Sequence, residues 1–144
     1  RSLVGSEMCK ETDAILIGLS AGIVTILIVS ILKRIDKNIF FGLILSGIGF
    51  LYVGFTWTNF PVAIISFVQV LFFLVPAYYG VKKDSWFLIA GFLLHGLWDL
   101  LYSQVADYSL IPPHYDQFCL TYDFLIGIYL LLIKYQMRRD PETT

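Results

Sequence analysis

The sequence predicts an all-α polytopic membrane protein, and three observations carry that prediction. Of its 144 residues 58% are hydrophobic and 17% aromatic, while only 15% are charged, against roughly 25% charged in soluble domains, so the chain lacks the charge to coat a water-facing surface. The apolar residues gather into five runs, each close to the ~20 residues a helix needs to cross a ~30 Å hydrocarbon core. Within those runs the pattern is continuously apolar rather than alternating, which excludes strands whose edges would face lipid.

The runs are 14–32, 39–57, 62–81, 86–105 and 118–134, joined by the short connections "KRIDKN", "TNFP", "KKDS" and "DYSLIPPHYDQ". Pro61 suits the first turn of the third helix, where its missing N–H costs little. Pro76 falls inside that helix and predicts a kink there. No internal repeat or low-complexity tract divides the chain. We therefore expect a tail over 1–12, a single five-helix bundle over 13–137 and a cytoplasmic tail over 138–144.

Basic residues set the expected orientation. Lys33, Arg34, Lys37, Lys82, Lys83, Lys134, Arg138 and Arg139 fall on one side, against Arg1 and Lys10 on the other, so the positive-inside bias places the N-terminus outside and the C-terminus in the cytoplasm. The opening "RSLVGSE" before Met8 reads as a cloning remnant, and the first run as a retained helix rather than a removed signal peptide. Tyr52, Phe55, Trp57, Phe60, Tyr108 and Tyr115 then cluster at the outer ends, as interfacial anchors would. The expected localisation is the cell membrane, multi-pass.

Net charge is −1 and the lysines and arginines form only short clusters, so a nucleic-acid partner is excluded. Cys9 and Cys119 both fall on the outer side, where an oxidising compartment would permit a bridge. A free thiol at Cys119 is the expectation, because that residue shares a helix face with Asp123.

Polar residues inside the runs point to a site. At ~1.5 Å rise per residue, Asp99, Asp123, Gln69 and Tyr52 all come out roughly 8–10 Å below the outer interface, on four different helices. His95 lies one turn deeper than Asp99. Gly91, His95, Asp99 and Tyr102 share one face of the fourth helix, while Cys119, Asp123 and Gly127 share one face of the fifth. A carboxylate turned to lipid costs about 3 kcal/mol. The two faces should therefore meet around a common pocket.

The run "GFLLHGLWDLLY" with "FCLTYDFLIGIYLL" resembles a family of small bacterial integral membrane proteins of unknown function, with H-x-x-W-D (His95, Trp98, Asp99) and C-x-x-x-D (Cys119, Asp123). The resemblance spans about 45 residues and implies no activity of its own. Where members commonly carry a histidine three residues after the aspartate, this chain has Tyr102.

A carboxylate beside an imidazole can hold the ring in one tautomer, and a second carboxylate completes an acid–base pair, so His95, Asp99 and Asp123 are the candidate catalytic residues. Tyr52, Gln69, Gly91, Trp98, Tyr102, Cys119 and Tyr122 are the candidate ligand contacts. The expected ligand is lipidic or amphipathic, since it must reach the outer half of the bilayer among membrane lipids. No cofactor and no metal is expected, because no histidine pair has ligand spacing. Two other readings fit the same letters. One is a small proton-coupled transporter acting as a homodimer; the other is a structural or accessory subunit whose buried polar groups only specify packing. Gly18, Gly22, Gly42, Gly47 and Gly49 are expected to mark close helix contacts, within the chain or at a homodimer seam. The loop "PPHYD" reads as an exposed connection stiffened by two prolines.

Overall fold

The computed structural model describes residues 2–105 and 108–140. The expected remnant 1–7 and tail 138–144 fall partly outside these residues, and so does the Tyr108 side chain. Among the described residues the regular structure is entirely helical: α1 (Ser2–Ile31), α2 (Lys37–Thr56), α3 (Phe60–Lys82), α4 (Trp86–Val105) and α5 (Tyr115–Arg139), with one 3₁₀ turn at Tyr108–Leu110. Four segments, Cys9–Ile31, Lys37–Thr56, Phe60–Lys82 and Tyr115–Arg139, are long and apolar enough to cross a membrane. The apolar part of α4, Trp86–Tyr102, is shorter.

Helix starts follow from local chemistry. Asp36 caps α2, its carboxylate accepting from the amides of Asn38 at 2.9 Å and Ile39 at 3.3 Å. Asn59 caps α3 and accepts from Val62 N–H at 3.4 Å, with Pro61 in the first turn. Helix α3 continues through Pro76 to Lys82. Before α5, His114 adopts a left-handed backbone with φ of 61°, a bend that turns the chain from Pro113 into the helix. Helix α1 begins well ahead of the apolar run, at Ser2 rather than near Ala14. Once an apolar helix is nucleated, each further residue adds a hydrogen bond, so the helix extends into its polar flank.

Helix α4 is the centre of the packing, in contact with α5, α3 and α2, while α2 lies along α3. Helix α1 stands at the edge, packed on α5. Gly18 and Gly22 form that seam, where added methyl groups would lie 2.7 Å from the Phe118 carbonyl oxygen and 2.5 Å from Leu125. Thr25 and Tyr122 hydrogen-bond across it at 3.1 Å. Gly42 and Gly49 likewise mark close contacts, with Ala77, Val81 and Val70 of α3, but Gly47 meets nothing within 4 Å. Within the chain it therefore marks no close contact, and it lies on an exposed face of α2.

One end of the bundle gathers the basic residues. Ser85 donates to Asn38 at 2.9 Å, joining the start of α4 to the start of α2. Lys134 of α5 donates to the Asp84 carboxylate and lies 5.5 Å above the Trp86 ring. Its ammonium, chiefly through that hydrogen bond, holds the Asp84 carboxyl below its ordinary value of 3.8. A depressed folded value adds stability that is complete above the unfolded value and is lost as pH falls through the folded one. Asp84→Asn should therefore cost no more than ~1 kcal/mol, because the carboxylate is half exposed. Thermal unfolding in detergent at neutral and acid pH checks this: the gap between wild type and variant should begin to narrow at about pH 4 and close as pH falls further.

Along its axis the bundle has three layers. Nearest the basic end is an apolar core including Val29, Phe41, Leu45, Leu88, Phe92, Ile126 and Leu130. Buried polar residues follow. Beyond them an aromatic layer of Tyr52 and Tyr102, with Phe55, Trp98 and Tyr115 packed on it, is closed by Ile111 from the α4–α5 connection. That connection is thus seated on the bundle at Ile111 rather than fully exposed. Trp57 at 80% and Phe60 at 77% exposure face outward beside the α2–α3 turn, as the expected anchoring requires. Tyr52 does not: its ring turns inward, 4.8 Å from Tyr102 and 5.8 Å from Tyr115.

Candidate functional site

The polar layer is built by four helices. Tyr52 comes from α2, Ser66 and Gln69 from α3, His95, Asp99 and Tyr102 from α4, and Asp123 from α5; all are buried. Spacing explains the placement, since residues three, four and seven apart share a helix face, and the faces so defined on α4 and α5 are those that pack together. Gly127, one turn beyond Asp123, lets α5 approach Leu93 and Phe92 of α4.

His95 is the hub. Its Nδ1 lies 2.8 Å from Asp123 Oδ2 and 3.4 Å from Asp99 Oδ2, so the nearer acid is on the neighbouring helix rather than one turn along its own. With a proton on Nδ1 the ring donates to Asp123, since an ionised carboxylate can only accept; with the proton on Nε2, Nδ1 turns a lone pair to that side. On the other edge of the ring, Nε2 stands 3.4 Å from Gln69 Nε2, and Phe73 packs edge-on at 4.7 Å. The Tyr52 hydroxyl donates to Asp99 Oδ1 at 2.5 Å. This contact pins the second carboxylate from α2.

A neutral chain of hydroxyls continues outward. Tyr102 and Ser66 share a hydrogen bond of 2.7 Å, and Thr56 donates to Ser66 at 3.1 Å. Ser66 and Thr56 also back-bond to their own helices, at Val62 and Tyr52. Neither residue stands out in the sequence, although Ser66, Gln69 and Phe73 lie at three- and four-residue spacing and could have been read as one stripe.

Beside this layer, between α3 and α4, lies a side groove of about 400 Å³ lined by Ile64, Ile65, Val68, Gln69, Phe72, Phe73 and Trp98. Gln69 and Phe73 stand between the groove and His95. Of the expected ligand contacts, Gln69 and Trp98 therefore line a cavity. Tyr52 and Tyr102 belong to the hydrogen-bond network behind it, and Cys119 is buried on the face of α5 that carries Asp123. Gly91 is in tight contact with Leu45 and Pro76, where a methyl would come to 2.6 and 3.2 Å, so the approach it permits is that of neighbouring helices. Tyr122 faces α1, bonded to Thr25. Both cysteines carry free thiols, Cys9 exposed and Cys119 buried.

The central trio His95, Asp99 and Asp123 offers one nitrogen and two carboxylate oxygens within 4.8 Å of one another. Such a set can hold a proton or a cation. Residues 13–136 match the family described as "Family of unknown function (DUF6010)". The chain belongs to that family. The DUF6010 match extends over all five helices, well beyond the 45 or so residues of the sequence resemblance, and agrees with it in carrying no assigned function. None of the curated proteins and none of the solved structures matches this DUF6010 chain.

Proposed function

We propose that the chain is a multi-pass protein of the cell membrane that binds a lipidic or amphipathic small molecule between α3 and α4. Its five helices span the bilayer with the basic ends of α1, α3 and α5 in the cytoplasm and the N-terminus outside. The supporting observation is the side groove, whose walls are apolar except at Gln69 and Trp98, with the His95 cluster directly behind Gln69. A volume of about 400 Å³ falls in the range of small-molecule sites. An apolar chain lies along Val68 and Phe72, and the polar end of the molecule meets Gln69. Acid–base chemistry on that polar end falls to His95, Asp99 and Asp123, with the ring anchored through Nδ1 and its other nitrogen turned toward Gln69.

Blocking the groove tests this. Val68 is 59% exposed and lines the groove, so Val68→Trp should fill the space without disturbing the buried layer. In vesicles holding a photoactivatable fatty-acid analogue, wild type should be labelled preferentially on the groove stretch of α3 and at Trp98, and Val68→Trp should lose that labelling with unchanged unfolding. Labelling spread evenly over all lipid-facing helices would sink the proposal.

A further inference from the structure

Two carboxyl groups buried against one imidazole leave an unbalanced charge whenever both are ionised. Asp99 and Asp123 are 1% and 0% exposed, and a protonated His95 would answer only one of their two charges. Buried ions persist only when they are paired or coordinated. The hydrogen-bond pattern shows the same deficit: Asp123 Oδ1 and Asp99 Oδ2 accept no hydrogen bond.

Gln69 adds a second and independent sign. It is 3% exposed, and its Oε1 has no partner although its amide stands 3.4 Å from His95 Nε2. Turning that amide over would place Oε1 on an Nε2–H. The oxygen would then be satisfied and the proton fixed on Nε2. Nδ1 would be left with a bare lone pair, pointing between the two carboxylates. Histidines that ligate metals are held by a donated hydrogen bond of this kind from the other ring nitrogen.

We propose that His95 Nδ1, Asp99 and Asp123 bind a divalent first-row transition cation with nitrogen and oxygen preference, such as Mn²⁺, Fe²⁺ or Zn²⁺. Ligand atoms ~2.0–2.1 Å from such an ion stand roughly 2.8–3.4 Å apart at octahedral or tetrahedral angles. His95 Nδ1 lies 2.8 and 3.4 Å from the two carboxylate oxygens, which brackets that spacing. Two carboxylates and a neutral imidazole balance a double positive charge. Tyr52, donating to Asp99 Oδ1, and Gln69, accepting from Nε2–H, act as positioning residues. Three protein ligands leave coordination positions open on the ion. The inference rests on the trio and not on what fills the groove.

The test uses the whole chain in nanodiscs, stripped with chelator and titrated separately with Mn²⁺ and Zn²⁺, with bound metal read by mass spectrometry and Mn²⁺ by electron paramagnetic resonance. Wild type should bind one equivalent, with an imidazole nitrogen coupled to Mn²⁺. Asp123→Asn should abolish binding. Tyr52→Phe and Gln69→Leu, which keep all three ligands, should weaken it roughly 10–100-fold. Binding that survives Asp123→Asn unchanged, an absence of nitrogen coupling, or no stoichiometric binding of either ion would each overturn the site. Val68→Trp should leave metal binding intact, so failure of the groove and failure of the cation site give separate results.

Discussion

His95→Leu is expected to destabilise the bundle by about 3–5 kcal/mol, the cost of removing one partner from a buried ionic group. Leucine is close to histidine in size, so little of this loss comes from packing. The loss arises because buried Asp99 and Asp123 would lose the imidazole that stands 3.4 and 2.8 Å from them, while the Tyr52 hydroxyl stays on Asp99 alone. Phe73 would still have an apolar neighbour in place of the ring. Replacing Asp123 by leucine as well should recover a substantial part of the loss, since a buried ionic group exchanged whole for apolar residues is often neutral or stabilising. Reversible unfolding in bicelles, run as a double-mutant cycle, measures both numbers. Equal stability of wild type and His95→Leu would show that the two acids are already neutral or solvated without the imidazole.

The second large effect is expected at the α1 seam. A methyl at Gly18 would lie 2.7 Å from the Phe118 carbonyl oxygen, whereas one at Gly22 would meet the end of the Leu125 side chain. A side chain can rotate away; a helical carbonyl cannot. Gly18→Val should therefore cost ~1–3 kcal/mol by overpacking and push α1 off α5, while Gly22→Ala costs less. Thr25→Cys and Tyr122→Cys, at positions that face each other across the seam, report it through a short bifunctional thiol cross-linker in a Cys9→Ser, Cys119→Ser background. Cross-linking should be efficient with Gly18 present and fall sharply with valine there. Undiminished cross-linking would mean that α1 docks without that close approach.

Much of this fold is written in the pattern of apolar runs, because a bilayer leaves a backbone few ways to satisfy its hydrogen bonds. Helices α2, α3 and α4 begin within two residues of the runs that announce them. The faces that carry His95 and Asp99, and Cys119 and Asp123, follow from helical spacing alone. Distances between helices do not. Spacing puts Asp99 one turn from His95 and so favours it as the partner, yet the interhelical contact with Asp123 is the shorter one. Tyr52 and Tyr115 read as interfacial anchors from their position near helix ends, but packing turns them onto each other over the polar layer. The Tyr102–Ser66–Thr56 chain escapes notice for another reason: short hydroxyl side chains bond their own helix as readily as a neighbour, and the sequence does not say which. The groove was equally hidden, since it exists only through the relative placement of α3 and Trp98.

Ile111 and the tyrosines beneath it stopper one mouth of the bundle, and the packed leucines and phenylalanines obstruct the other. Under the proposed function, a molecule bound for the histidine comes sideways, through the groove between α3 and α4 and out of the acyl chains. For such a molecule the effective dose is its mole fraction in the membrane, not its molarity in buffer. A binding curve plotted against aqueous concentration should slide along its axis whenever the amount of lipid or detergent is changed, even though the protein is the same.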